Sequence, residues 1–205
     1  MARIWRFFDL RLAFVAAVLV AVLVPPVASA GSLLGLDNNC GATSQPFAQF
    51  GDSRNYTFGT NGGLESGANG WTVSGGRVVP GNESYYVHSR SDRSSLQLPA
   101  GSSATTPQLC QSTTSTVVRF FVRSPDSGSV RVQVVARNLL GQVVGVLDVA
   151  RVSPSAAWQP GPAILNLQSL LGLIGVSSIQ LNFVTVSGTV QVDDVYVDPW
   201  GSRGC

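Results

Sequence analysis

No lysine occurs among the 205 residues; all 13 basic side chains are arginine. Schiff-base catalysis and lysine acetylation are therefore excluded. Histidine occurs once, as His88, and no G-x-S-x-G elbow accompanies it, so Ser-His-Asp hydrolysis finds no support. His88 reads instead as a partly exposed strand residue bonded to a carbonyl. Charged residues make up only 12% of the chain. Three of the 13 basic and one of the 11 acidic residues fall within positions 1–30, which leaves the remainder formally neutral. A neutral body without basic clusters does not suit nucleic acid or an anionic membrane surface. With 22 Gly and 11 Pro, long helices are excluded.

What is present begins with an export signal. Arg3, Arg6 and Arg11 precede an apolar run from Leu12 to Val24, followed by Pro25-Pro26 and Ala28-Ser29-Ala30. The run is shorter than the roughly 20 residues that span a bilayer. A Pro pair followed by small residues suits signal peptidase, so cleavage is expected after Ala30. No later apolar run is long enough to span, and the product is expected to be secreted. In an oxidising compartment Cys40 and Cys110 are the natural disulfide pair, leaving Cys205 free or intermolecular. Three cysteines without a CxxC pattern do not suit zinc.

The body reads as strands. Ser129–Val134 alternates strictly, with valine at every second position. Similar segments are Tyr56–Phe58, Trp71–Ser74, Tyr85–His88, Ser95–Leu98, Val117–Val122, Val143–Val149, Ile179–Phe183 and Thr189–Val197, separated by Gly/Asn/Pro turns. One short helical candidate, Leu167–Leu173, is Leu-rich. Many short strands without βαβ alternation indicate an all-β, antiparallel two-sheet jelly-roll sandwich. The expected organisation is a signal peptide (1–30), an irregular arm (31–54), the sandwich (55–199) and a tail (200–205).

The last strand breaks its own pattern. Val190 and Val192 share one parity and Val195 and Val197 the other, with Asp193-Asp194 at the switch. An extra residue, a bulge, reverses facing in this way. The adjacent carboxylates repel unless a cation or arginine compensates. Calcium takes six to eight oxygen ligands, a need that Glu65, Asp193, Asp194 and a turn carbonyl such as Gly63 would meet, with Asp92 a further contributor. The competing reading pairs Glu65 with an arginine and leaves the aspartates in turn hydrogen bonds.

The segments NGGLESGANGW (61–71), SDRSSLQL (91–98) and VQVDDVYV (190–197) resemble calcium-containing jelly-roll carbohydrate-binding modules of the galactose-binding-like superfamily. The resemblance implies that Glu65 and one of the two aspartates hold a structural calcium, with backbone carbonyls completing the shell. Leu64 stands where that pattern usually has Phe. The chain is also similar to exported proteins of high-GC Gram-positive bacteria that carry FGDSRNY and VDDVYVDP, a likeness that implies no activity.

Sugars stack on exposed aromatic rings. Tyr85 and Tyr86, adjacent in an expected strand, must place one ring outward, and Trp158 precedes a loop-like Gln159-Pro160-Gly161. These three are the candidate ligand contacts, whereas Trp71 is expected in the core. The leading expectation is a secreted, non-catalytic module that binds a glycan or another cell-envelope component. The alternative is an exported structural or protein-interaction domain without a sugar site. A glycoside hydrolase built on the same carboxylates is a minor alternative.

Overall fold

Strand β8 (Ser129–Arg137) shows why this chain forms sheets. Val130, Val132 and Val134 are fully buried, while Arg131 and Gln133 between them are partly exposed. β-Branched residues at period two cover one face of a pleated strand and leave the other polar. The computed structural model describes residues 40–111, 116–164 and 176–199. The export signal, the Leu167–Leu173 segment, Trp200 and Cys205 lie outside the described residues.

One sheet places β1 (Thr43–Ser44), β2 (Tyr56–Phe58), β12 (Thr189–Asp198), β5 (Ser94–Pro99) and β4 (Arg77–Pro80) in that order. Along the other edge of β12 runs β7 (Val117–Arg123), which carries β10 (Gln159–Pro160). The second sheet has the order β3 (Thr72–Ser74), β6 (Ser103–Thr105), β11 (Ser178–Ser187), β8 and β9 (Val143–Val152). All of these pairings are antiparallel. The architecture is a two-sheet jelly-roll sandwich.

Between the sheets lie Leu96, Leu98, Val118, Phe120, Val122, Val190 and Val192 from one side and Val130, Val132, Val134, Ile179, Leu181 and Phe183 from the other. Each such side chain contributes about 1.5–3 kcal/mol through its burial. Leu64 and Trp71 join this core. A second cluster, Phe47, Tyr56, Val117, Phe121, Trp158 and Tyr196, covers the outer face of the first sheet. Its lid is the N-terminal arm, which makes a short 3-10 turn at Ala48–Phe50. With both faces covered, β12 is buried along nearly its whole length. The arm is tied to the sandwich by the expected Cys40–Cys110 disulfide. No helix among the described residues is long and apolar enough to cross a membrane.

Tyr85–His88 departs from expectation, because these residues form a loop rather than a strand. The Glu83 carboxylate accepts the Tyr85 and Val87 backbone N–H groups, so those donors serve a side chain instead of a ladder. Arg77–Pro80 and Ser103–Thr105, too short to read by alternation, are strands.

Candidate functional site

The site forms where the neighbours of β12 change. On one edge β12 pairs with β5 from Thr189 to Val192 and with β2 at Tyr196 and Val197. Residues 193–195 fall in the gap between those two strands. There the Gly59–Gly63 turn takes over the edge: Gly59 N–H donates to the Val195 carbonyl (2.9 Å), and Val195 N–H donates to the Gly62 carbonyl (3.2 Å). On the β7 side Asp193 faces Phe121 and Tyr196 faces Arg119, so one residue is extra. This is the bulge that the parity switch predicts. Asp194 sits in it at φ 45°, a left-handed conformation that aspartate tolerates better than most residues.

The glycines of the turn are there for close approach. A Cβ on Gly62 would stand 2.7 Å from the Val195 carbonyl oxygen. One on Gly63 would stand 2.9 Å from Asp194 Oδ1. Asn61 braces the same turn, accepting Ser66 N–H and donating to the Gly67 and Asn69 carbonyls.

The two aspartates have different roles. Asp193 Oδ2 accepts Glu83 N–H (2.8 Å) and Oδ1 accepts Asp194 N–H (2.9 Å), so Asp193 anchors the loop that follows β4. Asp194 is completely buried, and neither of its carboxylate oxygens has a hydrogen-bond partner. Burial, and then repulsion from Glu83, Asp92 and Glu65, push its carboxyl well above the ordinary carboxylate range; the nearby backbone N–H of His88, which does not reach hydrogen-bond geometry, gives a weaker opposing pull. Burial and the neighbouring Asp194 raise Asp193 likewise. Burial also raises Glu83.

Glu65 is exposed and accepts the Arg93 and Ser94 backbone N–H groups, each at 2.8 Å. It thereby ties the turn to the start of β5. The ion pair with an arginine offered by the competing reading is not how Glu65 is held. Asp92 is buried, and its Oδ2 lies 2.7 Å from His88 Nδ1. Ligand atoms of His88, Asp92 and Asp194 all lie within 4.8 Å of one another. The sequence predicts His88 at a strand end with a carbonyl partner. The structure instead stacks it on Phe58 (ring centroids 3.7 Å apart, 6° between planes) and aims it at Asp92. Of the expected ligand set, Asp194 and Asp92 converge, the Gly63 backbone passes close to Asp194, Glu65 acts electrostatically from the rim, and Asp193 is an acceptor for backbone donors.

The loop held by Glu83 presents Tyr85 and Tyr86, which are 41% and 47% exposed. With Arg90 they line an open concavity of about 450 Å³. Tyr85 is anchored at its far end, its hydroxyl donating to the Trp158 carbonyl (3.1 Å) and its ring lying edge-on to Phe50. Trp158 is not an exposed platform. It is 5% exposed, packed in the outer-face cluster with the Arg123 guanidinium over its ring. The β10–β7 pairing turns the Trp158 segment inward, which the proline-rich context concealed.

No family model matches the chain, and no curated protein does. Solved structures do. The enzymatically active domain of tailspike protein 4 from Bacteriophage CBA120 is similar at TM-score 0.50 and 12% identity over 67% of this chain, which spans 20% of the tailspike chain. TmCBM61 in complex with beta-1,4-galactotriose aligns at TM-score 0.47 and 18% identity, covering 68% of this chain and 95% of its own. The CBM22-1 xylan-binding domain of Paenibacillus barcinonensis Xyn10C aligns at TM-score 0.42 and 16% identity, covering 62% and 84%. At these identities the likeness is one of fold.

Proposed function

We propose that this chain is an exported, non-catalytic binding module whose ligand loop is fastened by a divalent cation and whose ligand is a glycan or another cell-envelope component. The observation that carries the reading is Asp194: a fully buried carboxylate without a donor, repelled by three other carboxylates. An uncompensated buried charge of this kind costs several kcal/mol. A proton or a divalent cation removes that cost, and the buried carboxylates around Asp194 favour the cation. Asp194 and Asp92 would hold the ion. Bound there, the ion would supply structural charge compensation.

The chain's own residues then do the binding. Asp193 holds Glu83 N–H, Glu83 holds the Tyr85 and Val87 N–H groups, and the loop so ordered offers two tyrosine faces and an arginine fork. Tyrosine faces suit pyranose rings, and a guanidinium suits hydroxyl and carboxylate oxygens. Glycosidase chemistry needs two carboxyl groups across an open cleft, whereas Glu83, Asp193 and Asp194 have no exposed surface.

The test is a glycan-array screen of residues 31–205, repeated with chelator and with Tyr86→Ala and Arg90→Ala. Binding that weakens by about tenfold or more in each variant is expected, from loss of 1.4 kcal/mol or more per contact. Binding unaffected by both substitutions would place the ligand elsewhere. A second reading, a protein-interaction domain, is favoured by the exposed Leu139, Leu140, Val143 and Val146 at the β8–β9 edge. An array without hits, combined with self-association or partner capture lost on Val146→Lys, would support that reading instead.

A further inference from the structure

We propose that His88 is itself a ligand of the resident cation, so that the site prefers a borderline first-row divalent ion, manganese through zinc, over calcium. The inference rests on the reading of a resident cation and changes which ion it is. Three observations carry it. First, the groups whose ligand atoms converge within 4.8 Å are His88, Asp92 and Asp194, one imidazole and two carboxylates. Second, two of these groups are buried, and Asp194 contributes two oxygens without any hydrogen-bond partner. Third, the imidazole is positioned in advance: Phe58 stacks flat against it, and the N–H of the preceding residue, Val87, is held by Glu83.

Calcium takes oxygen ligands and gains little from an imidazole. Borderline divalent ions bind imidazole well, and mixed nitrogen and carboxylate sets are their usual environment. Glu65, which would complete an all-oxygen shell, is already committed through Oε1 to the Arg93 and Ser94 N–H groups. Asp193, the other candidate oxygen donor, is committed through both oxygens to the Glu83 and Asp194 N–H groups. The buried oxygens left to the ion, those of Asp194 and Asp92, are fewer than the six to eight that calcium takes, and His88, whose Nδ1 faces Asp92 Oδ2 at 2.7 Å, supplies a nitrogen once an ion replaces that contact. His88 also lines a concavity of about 300 Å³ with Thr43, Ser44 and Phe58, which gives an ion a route from solvent to the ring.

The test uses the protein stripped with chelator and then titrated separately with calcium, manganese and zinc chlorides, following the thermal midpoint. Zinc binding to the unfolded chain is a small correction, because the only histidine is His88 and two of the three cysteines are in the disulfide. Half of the maximal stabilisation is expected at zinc or manganese concentrations about tenfold or more below those of calcium. His88→Gln should erase that preference while leaving the calcium response in place, and Asp194→Asn should abolish the response to all three ions. Pulsed EPR of the manganese-loaded wild type should show imidazole nitrogen coupling that is absent in His88→Gln; this readout holds even if the substitution lowers stability. A manganese spectrum without nitrogen coupling, or a site filled by calcium in preference to zinc, would overturn the role of His88 while keeping a resident cation. A melting temperature indifferent to all three ions would remove the cation reading itself, and this inference with it.

Discussion

Asp194 combines a left-handed backbone, complete burial and a carboxylate without a donor. Without a cation, the protein can keep that group only by protonating it. Its carboxyl titrates above its unfolded value near 4, so between that value and the raised one the folded state binds more protons than the unfolded chain. Asp193 behaves in the same direction. The contribution of these two aspartates to stability in chelator is therefore complete below about pH 4 and falls as pH rises through neutrality, by up to about 1.4 kcal/mol per unit for each group. A saturating divalent ion should flatten this decline, because it stabilises the ionised form. Asp194→Asn should flatten it too, since the amide stays neutral and asparagine accepts positive φ. Urea unfolding at several pH values, with and without chelator, checks this. A chelated wild type equally stable at pH 5 and pH 8 would mean that Asp194 is not charged at cost.

At the scale of elements, the bulge in β12 was legible and the loop after β4 was not. The reversal from Val190 and Val192 to Val195 and Val197 is local information, because a strand's facing is carried by adjacent residues. The Tyr85–His88 segment has the composition of a strand, but its conformation is set by Glu83 and by Asp193, which is 110 residues away from Glu83 in sequence. No periodicity carries a contact of that range. His88 was missed for the same reason: its carboxylate partner Asp92 is near in sequence, but the third group, Asp194, arrives only when β12 docks. The loop yields its own prediction. Glu83→Ala leaves the Tyr85 and Val87 N–H groups unpaired and should cost about 1–3 kcal/mol for each donor that stays buried. Amide exchange at Tyr85 and Val87 should accelerate while exchange in β8 and β11 stays slow. Unchanged protection at both amides would show that the loop holds its shape without the carboxylate.

On the scale of the whole molecule, the N-terminal arm makes β12 a strand buried on both faces. Its apolar anchor is Phe47, packed against Tyr56, Phe121 and Tyr196. Its polar anchor is Asp52, which accepts the Tyr56 hydroxyl, Arg119 Nη1 and Arg54 Nη1. Burial opposes the charge on Asp52, but the Tyr56 and Arg54 hydrogen bonds and the Arg119 guanidinium outweigh it and hold the carboxyl below its usual value. This latch therefore loosens as pH falls, opposite in sign to the buried aspartates of the site. The disulfide adds a third tie, with a sequence separation of 70. Chain-entropy reasoning makes a loop of that length worth about 4 kcal/mol. Cys40→Ser with Cys110→Ser should lower the urea midpoint accordingly, and Trp158 emission should report a more exposed outer face at acid pH, where the Asp52 latch also fails. The response to divalent ions should survive, because the Gly59–Gly63 turn, the 83–92 loop and the β12 bulge are joined by their own hydrogen bonds. If the double variant matches wild type in urea, the side-chain anchors hold the arm unaided, and the disulfide's entropic advantage is already offset in the unfolded chain.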